Sequence, residues 1–394
     1  MQYAKLTFLD KGTELCYRMV MVKIFIITGE ASGDLHASFL IRELRKGLPG
    51  SMFYGVGGMK MQEEGVHLFF GIEHLSVIGF WEVVKKLNTI KRILRSLVAK
   101  MREMKPDALI LIDSPGFNLR LAPFARMLGI KVFYYITPQV WAWGGWRLRS
   151  MYKNVDYALV IFPFEKQIFK SYGINTFYVG HPIIDEMALR KNREDFCKEH
   201  ALNPEKPIVA LLPGSREGEI RRILPVMLSI SDEIKKRKPE IQFILPTIYK
   251  EMKALLHDRA TVKMIYGETS DGINAADAAV AASGTVTLET AFLRTPCVII
   301  YKVSILSYLI AKWLIKVPYI GLVNIVRGKK IVPEYTQFSI KVHHIATEIL
   351  RMLDDKEYAM RIKSELDKVI TSVGKKGASE NAAQIIVAKL DEEK

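Results

Sequence analysis

Cysteine is nearly absent from this 394-residue chain. The three copies, Cys16, Cys197 and Cys297, lie far apart and form no Cys-x-x-Cys pair. That excludes a disulfide framework and a thiolate zinc site, and it fits a reducing cytoplasm. There is no His-x-x-x-His or Cys/His ligand cluster, and no Asp-x-Asp of the kind that holds a metal against a nucleotide diphosphate. The Gly-Lys-Ser/Thr ending of a P-loop and the Gly-x-Gly-x-x-Gly fingerprint are missing as well. No uncharged apolar run reaches the roughly 18 residues of a spanning helix. Residues 1–20 carry Lys5, Asp10, Lys11 and Glu14, so they lack the apolar centre of a signal peptide. Met19 and Met21 directly precede the first strong strand; the natural start is expected at one of them, with 1–20 an extension outside the fold. Negative charge is in deficit, 42 acidic against 57 basic residues, and the net charge of +15 calls for an anionic partner: nucleic acid, an acidic membrane surface or phosphorylated substrates.

What is present is apolar residue at 49%, enough for two cores in a chain too long for one. From residue 22 onward, short β-branched runs alternate with helical patterns, the signature of parallel sheets with crossover helices. Strands are expected at 22–28, 52–54, 108–113, 131–136, 157–161 and 176–179, then at 207–212, 241–246, 262–266, 278–282 and 297–301. Each half reads as its own doubly wound unit. The linker "GHPIIDEMALRKNREDF" divides them, giving domains 21–185 and 186–394. Helices near 340–354, 356–370 and 378–392 end the chain and are expected to pack back on the first domain.

Chemistry concentrates in strand-to-helix turns. "GEASGD" (29–34) places Gly29, Glu30, Ser32, Gly33 and Asp34 after the first strand. "LLPGSREGEI" (211–220) opens a helix with Gly214, Ser215 and Arg216. Free N–H groups, about +0.5 of an elementary charge and a fixed guanidinium outline a phosphate site there, unless the segment is an ordinary turn with a surface arginine. "ASGTVTLETA" (282–291) repeats the idea with Ser283, Gly284, Thr285 and Thr287. Its Glu289, one turn on, is placed to accept bonds from a ribose diol. "LIDSPGFN" puts Asp113 at the end of an apolar strand, where it can take a proton from a hydroxyl nucleophile or cap a helix starting near Asn118.

Two stretches are less specific. "VWAWGGWRLR" gathers Trp141, Trp143 and Trp146 with Arg147 and Arg149, to stack bases, grip acyl chains or, by default, pack a core. Residues 80–105 read as an amphipathic helix with Val83, Leu87, Ile90, Leu94, Leu97 and Met101 on one face. Lys85, Lys86, Lys91, Arg92 and Arg95 lie between them, as on a solvated surface helix or an interfacial one. The apolar segment 303–320, with its tryptophan and lysines, adds slight support for the interfacial form.

Taken in order, "GEASGDLHA", "LIDSPGFN", "TPQVWAW", "FPFEKQIF", "VGHPIID", "LLPGSREGEI", "ASGTVTLE" and a "GLVN…VPEYTQ" tail resemble the lipid-A-disaccharide synthase family, from about Val22 past Gln337. The resemblance implies an α/β protein of the GT-B type, two Rossmann-like domains facing across a cleft, with the nucleotide held mainly by the second. It implies inverting transfer between UDP-2,3-diacylglucosamine and 2,3-diacylglucosamine 1-phosphate, by an enzyme peripheral on the inner face of the bacterial inner membrane. Asp113 and Arg216 take the family's catalytic positions. Asn324, Glu334 and Gln337 join Ser283, Gly284, Thr285 and Glu289 in the nucleotide pocket. Gly116 departs from the pattern, where a second acid often follows the proline. With UDP in the second domain, the acids of "GEASGD" are expected to face sugar hydroxyls. No metal and no cofactor are expected; the partners are the two lipid substrates and an anionic membrane surface, with a homodimer admitted and nucleic acid not. The rivals are another GT-B UDP-N-acetylglucosamine transferase, an epimerase of the same fold, and, from another class, a basic nucleic-acid-binding protein.

Overall fold

The computed structural model describes residues 21–75, 80–187, 189–214, 217–247, 252, 261–304, 308 and 317–392. They form two sheets whose strands all pair parallel. The first runs β3-β2-β1-β4-β5-β6-β7, from β1 Lys23–Ile27, β2 Met52–Gly57, β3 His67–Gly71, β4 Ala108–Ile112, β5 Lys131–Tyr135, β6 Tyr157–Val160 and β7 Thr176–Tyr178. The second runs β10-β9-β8-β11-β12-β13, from β8 Ile208–Leu212, β9 Gln242–Thr247, β10 Val262–Tyr266, β11 Ala278–Ala282, β12 Cys297–Tyr301 and β13 Glu334–Thr336. Central strands are covered by helices on both faces, so β4, β8 and β11 are apolar and buried at every position.

The strands expected from sequence are all present, and two more join them. β3 is a half-buried edge strand following a Gly-Val turn, and β13 is three residues with no apolar run. Neither has a fully buried position, whereas every expected strand has at least one. β2 also extends past residue 54 because Gly55 is no breaker. A Cβ there would overlap Ile26 O on β1, so the glycine marks close approach of two strands.

In each sheet the strand order reverses beside the first strand, between β1 and β4 and between β8 and β11. Ligands of open α/β sheets gather beyond the carboxyl ends at such points. All four glycine-bearing turns singled out above follow these four strands.

The chain crosses between the halves twice. After β7 it passes through the helix Ile183–Glu186, and at its end the helix Ala378–Asp391 returns to pack on the helix Ala31–Gly47. Ala37, Leu40, Ile41 and Leu44 meet Ala382, Ala383, Ile386 and Leu390, all buried. Each large aliphatic so covered contributes about 1.5–3 kcal/mol. Lys131 Nζ donates to Lys389 O (2.6 Å), Asp185 accepts from Gly377 N (2.6 Å) and Ser379 N (3.0 Å), and Asn381 Nδ2 donates to Val179 O (3.1 Å).

The helix Phe80–Met104 buries Ile93, Leu97 and Met101 and exposes Lys91, Arg92 and Arg95. The side chains of Val83, Lys85, Lys86 and Leu87, and most of 303–320, lie outside the described residues. No helix among the described residues is long and apolar enough to cross a membrane.

Candidate functional site

The first crevice is built by the turns after β1 and β4. They touch: a Cβ on Gly29 would lie 2.7 Å from Ser114 Oγ and 3.2 Å from its Cβ, so a side chain there would push on Ser114. Gly33 lets the helix start close over the end of β1, since a Cβ there would overlap Thr28 Oγ1.

Asp113 and Ser114 both adopt left-handed backbone, at φ 46° and 45°. Two such residues in a row cost about 1–2 kcal/mol each, and something must hold them. Asn118, fully buried, donates from Nδ2 to Ile112 O (3.1 Å) and Asp113 O (2.7 Å), and Tyr134 OH donates to Asp113 O (2.6 Å). The Asn118 Nδ2 is therefore committed to the turn, while its buried Oδ1 is without a partner among the described residues. The helix it belongs to is Pro115–Met127, starting ahead of Asn118, and Ser114 takes its N-cap. Ser114 stands at that position without a side-chain capping bond, so Asp113 lies one residue outside the helix.

The acids of "GEASGD" divide. Glu30 is half-buried at the N-cap of the helix Ala31–Gly47, next to exposed Ser32. Asp34 is buried and accepts from the amides of Gly58 (2.7 Å), Lys60 (3.0 Å) and Met61 (3.1 Å), capping the short helix Met59–Glu63. Its partners lie 24 to 27 residues away, which local sequence does not disclose.

The second crevice follows β8 and β11. Gly214 (φ 98°) precedes the helix Glu217–Arg237; Ser215 and Arg216 lie outside the described residues. After β11, Ser283 Oγ donates to Ile320 O (2.8 Å), Thr287 Oγ1 donates to Gly284 O (2.7 Å), and exposed Thr285 stands at the N-cap position of the helix Val286–Phe292 without a side-chain capping bond. Glu334 accepts from Ile320 N (3.1 Å), Gly321 N (2.8 Å) and Asn324 Nδ2 (2.7 Å). Gln337 (φ 40°) bonds both backbone groups of Val303, at 3.2 and 3.0 Å. Asn324, Glu334 and Ser283 are thus brought together around the Ile320-Gly321 turn, where their polar atoms set the crevice wall.

Glu289 is half-buried one turn into its helix, and burial with the nearby Glu186 carboxylate pushes it up to about 7. Glu186 pairs with His36 of the first half, so this acidic pair sits where the halves meet. His181 beside it is held neutral, pushed down to about 3 by burial and by His36, and accepts from Ile183 N (3.2 Å).

The tryptophans separate by role. Trp141 packs edge-on to Phe162 and Phe164 and donates from Nε1 to Glu165 Oε1 (2.8 Å). Trp143 and Trp146 do not fill a core; they are 41% and 65% exposed, with the Arg147 guanidinium 4.0 and 5.5 Å from their ring centres. Glu165, completely buried, also accepts from Ile161 N (3.2 Å) and Phe162 N (3.1 Å), and burial pushes it up to about 7. Glu165 and Tyr134 escaped the sequence reading as site residues, although the "FPFEKQIF" motif contains the first.

Among the described residues, Glu199, His200 and Glu268 lie close enough together to share a cation. Lys191 Nζ already occupies that place, 2.7 Å from Glu199 and 2.9 Å from Glu268.

Comparison with known proteins agrees with this layout. The model of the lipid-A-disaccharide synthetase family matches residues 24–388. A lipid-A-disaccharide synthase of Syntrophus aciditrophicus is 43% identical over 366 residues, 91% of this chain and 96% of that one. One of Geobacter sulfurreducens is 40% identical over 373 residues, 93% and 97% of the two chains. Among solved structures, a putative UDP-N-acetylglucosamine 2-epimerase from Listeria monocytogenes superposes with a TM-score of 0.66 at 12% identity, over 95% of this chain and 98% of that one. The Neisseria meningitidis UDP-GlcNAc 2-epimerase, bound to UDP-GlcNAc, gives 0.64 at 13%, over 94% and 100%. These likenesses give the two-domain GT-B fold, and the family match over nearly the whole chain gives more: this chain belongs to the lipid-A-disaccharide synthetase family of glycosyltransferases.

Proposed function

We propose that this chain transfers the 2,3-diacylglucosamine unit of UDP-2,3-diacylglucosamine to the primary hydroxyl of 2,3-diacylglucosamine 1-phosphate, with inversion. The observation that carries the reading is the pairing of turns at both switch points, acids and glycines in one domain against glycine, hydroxyls and the Pro-Gly-Ser-Arg segment in the other. The acceptor oxygen bonds to the anomeric carbon as the bond from that carbon to the diphosphate oxygen breaks. UDP leaves with the electron pair, and Asp113 takes the hydroxyl proton. Arg216 and the helix termini after β8 and β11 stabilise the charge growing on the diphosphate. Glu30 and Ser32 face the sugars; Asp34 and Asn118 hold the two turns in place. The exposed Lys91, Arg92 and Arg95 support work at an anionic membrane surface.

UDP release from the donor, measured in EDTA with and without the acceptor, tests this. Release that needs the acceptor and ignores the chelator is expected. Conversion of the UDP-sugar without acceptor would replace the reading by an epimerase.

Glu289 adds a pH signature. Ionised above about 7, it accepts more strongly from a ribose diol. UDP affinity is therefore expected to weaken as pH falls from 8 to 6. The phosphate of UDP titrates too, but equally in wild type and Glu289→Gln, so the ratio of their affinities isolates the carboxylate. That ratio should shrink about fivefold on acidification; a constant ratio would take Glu289 out of the nucleotide pocket.

A further inference from the structure

Arg147 is placed badly for stability in three ways at once. It opens the helix Arg147–Asn154, where the helix dipole disfavours a cation. It is half-buried, and burial pushes its guanidinium below the usual value. Among the described residues its N–H donors meet no carboxylate and no hydrogen-bond acceptor; the side chain rests on the faces of Trp143 and Trp146. Those rings orient the guanidinium without neutralising it.

The location gives this cost a purpose. The Tyr134 hydroxyl, which donates to Asp113 O, lies within electrostatic reach of both the Asp113 carboxylate and Arg147. The helix that Arg147 opens packs on the helix that follows the Asp113 turn. A fixed planar cation with unused donors, on a helix packed against the one that follows the Asp113 turn and on the acceptor side of the cleft, suits a phosphate oxygen pair.

We infer that Arg147, held by Trp143 and Trp146, binds the 1-phosphate of the acceptor sugar and makes the enzyme select phosphorylated over unphosphorylated acceptor. This rests on the proposed reaction, in which the acceptor alone carries a phosphate monoester. A bound monoester would pair the guanidinium and also suit the helix N-terminus. Substrates lacking it would leave both as they are.

The test pairs two acceptors, 2,3-diacylglucosamine 1-phosphate and 2,3-diacylglucosamine, in neutral detergent micelles free of charged lipid. UDP release is followed for wild type, Arg147→Gln and Arg147→Lys. Wild type should prefer the phosphorylated acceptor in kcat/KM by about tenfold or more. Arg147→Gln should lose that preference through KM for the phosphorylated acceptor, with kcat/KM for the unphosphorylated one and KM for the donor unchanged. Arg147→Lys, keeping the charge but not the fork, should retain part of it. Equal losses on both acceptors would make Arg147 structural, and a raised donor KM would move it to the UDP side; either overturns the inference. An unchanged acceptor preference with weaker binding to anionic vesicles would assign the cation to a lipid headgroup instead, and overturn it too. Failure of wild type to release UDP with either acceptor would instead sink the proposed reaction, and the inference with it.

Discussion

Asp113→Asn is expected to lower kcat about a thousandfold and to leave the KM for the UDP-sugar within about twofold, the scale of losing a positioned general base. Asparagine is the substitution that isolates the charge. It is isosteric, and with aspartate it is the side chain that best tolerates the left-handed backbone found at φ 46°. The backbone bonds from Asn118 and Tyr134 end on the carbonyl of residue 113, not on its carboxylate, so they survive the change. Alanine would add backbone strain and confuse the two effects. Single-turnover rates, with thermal melting as the control on folding, decide the matter. A variant that melts with wild type and turns over at near its rate would remove Asp113 from the chemistry.

Glu165→Ala should destabilise the protein by about 3–5 kcal/mol. It strips acceptors from the part-buried Trp141 Nε1 and from the buried amides of Ile161 and Phe162. Glu165→Gln keeps an acceptor and should lose far less. The pH dependence is fixed in sign. The folded protein holds the Glu165 proton up to about 7, while the unfolded chain releases it near 4.5. Wild-type stability from this group therefore falls as pH rises through that window, and glutamine, which mimics the protonated form, compares best with wild type near pH 8. Chemical denaturation of the three proteins at pH 5 and pH 8 checks both statements. Equal stability of the alanine variant would mean that the three donors find water without cost.

The turns that make the two crevices were legible because each needs unusual residues in a short span: glycine for close approach, an acid or a hydroxyl after a buried strand. Asp113 and Ser283 stand where "LIDSPG" and "ASGT" put them, at strand ends beside the reversal of strand order. What escaped was anything joined across sequence distance. Asp34 reads as a sugar ligand until its three amides, from a loop beyond the next strand, are seen. Asn324, Glu334 and Gln337 read as a pocket but form the hydrogen bonds that shape its wall. The exposure of Trp143 and Trp146 was equally hidden, because composition alone favours burying a tryptophan. β3 and β13 were lost for the opposite reason: both are edge strands with no fully buried position, and β13 carries only three residues with no apolar run.

The double crossing between the halves governs how they can move. Both connections run through one small region, because Asp185 on the outgoing segment accepts from Gly377 and Ser379 on the returning one. Gly180, Gly374 and Gly377 lie there with positive φ, and a Cβ on Gly180 would already touch Ala378. Two chain segments bound side by side behave like the pins of a single door. Such a pairing favours a hinge, a swing that widens or narrows the cleft at the edge farthest from the pins, where bulky two-tailed molecules have to enter and leave.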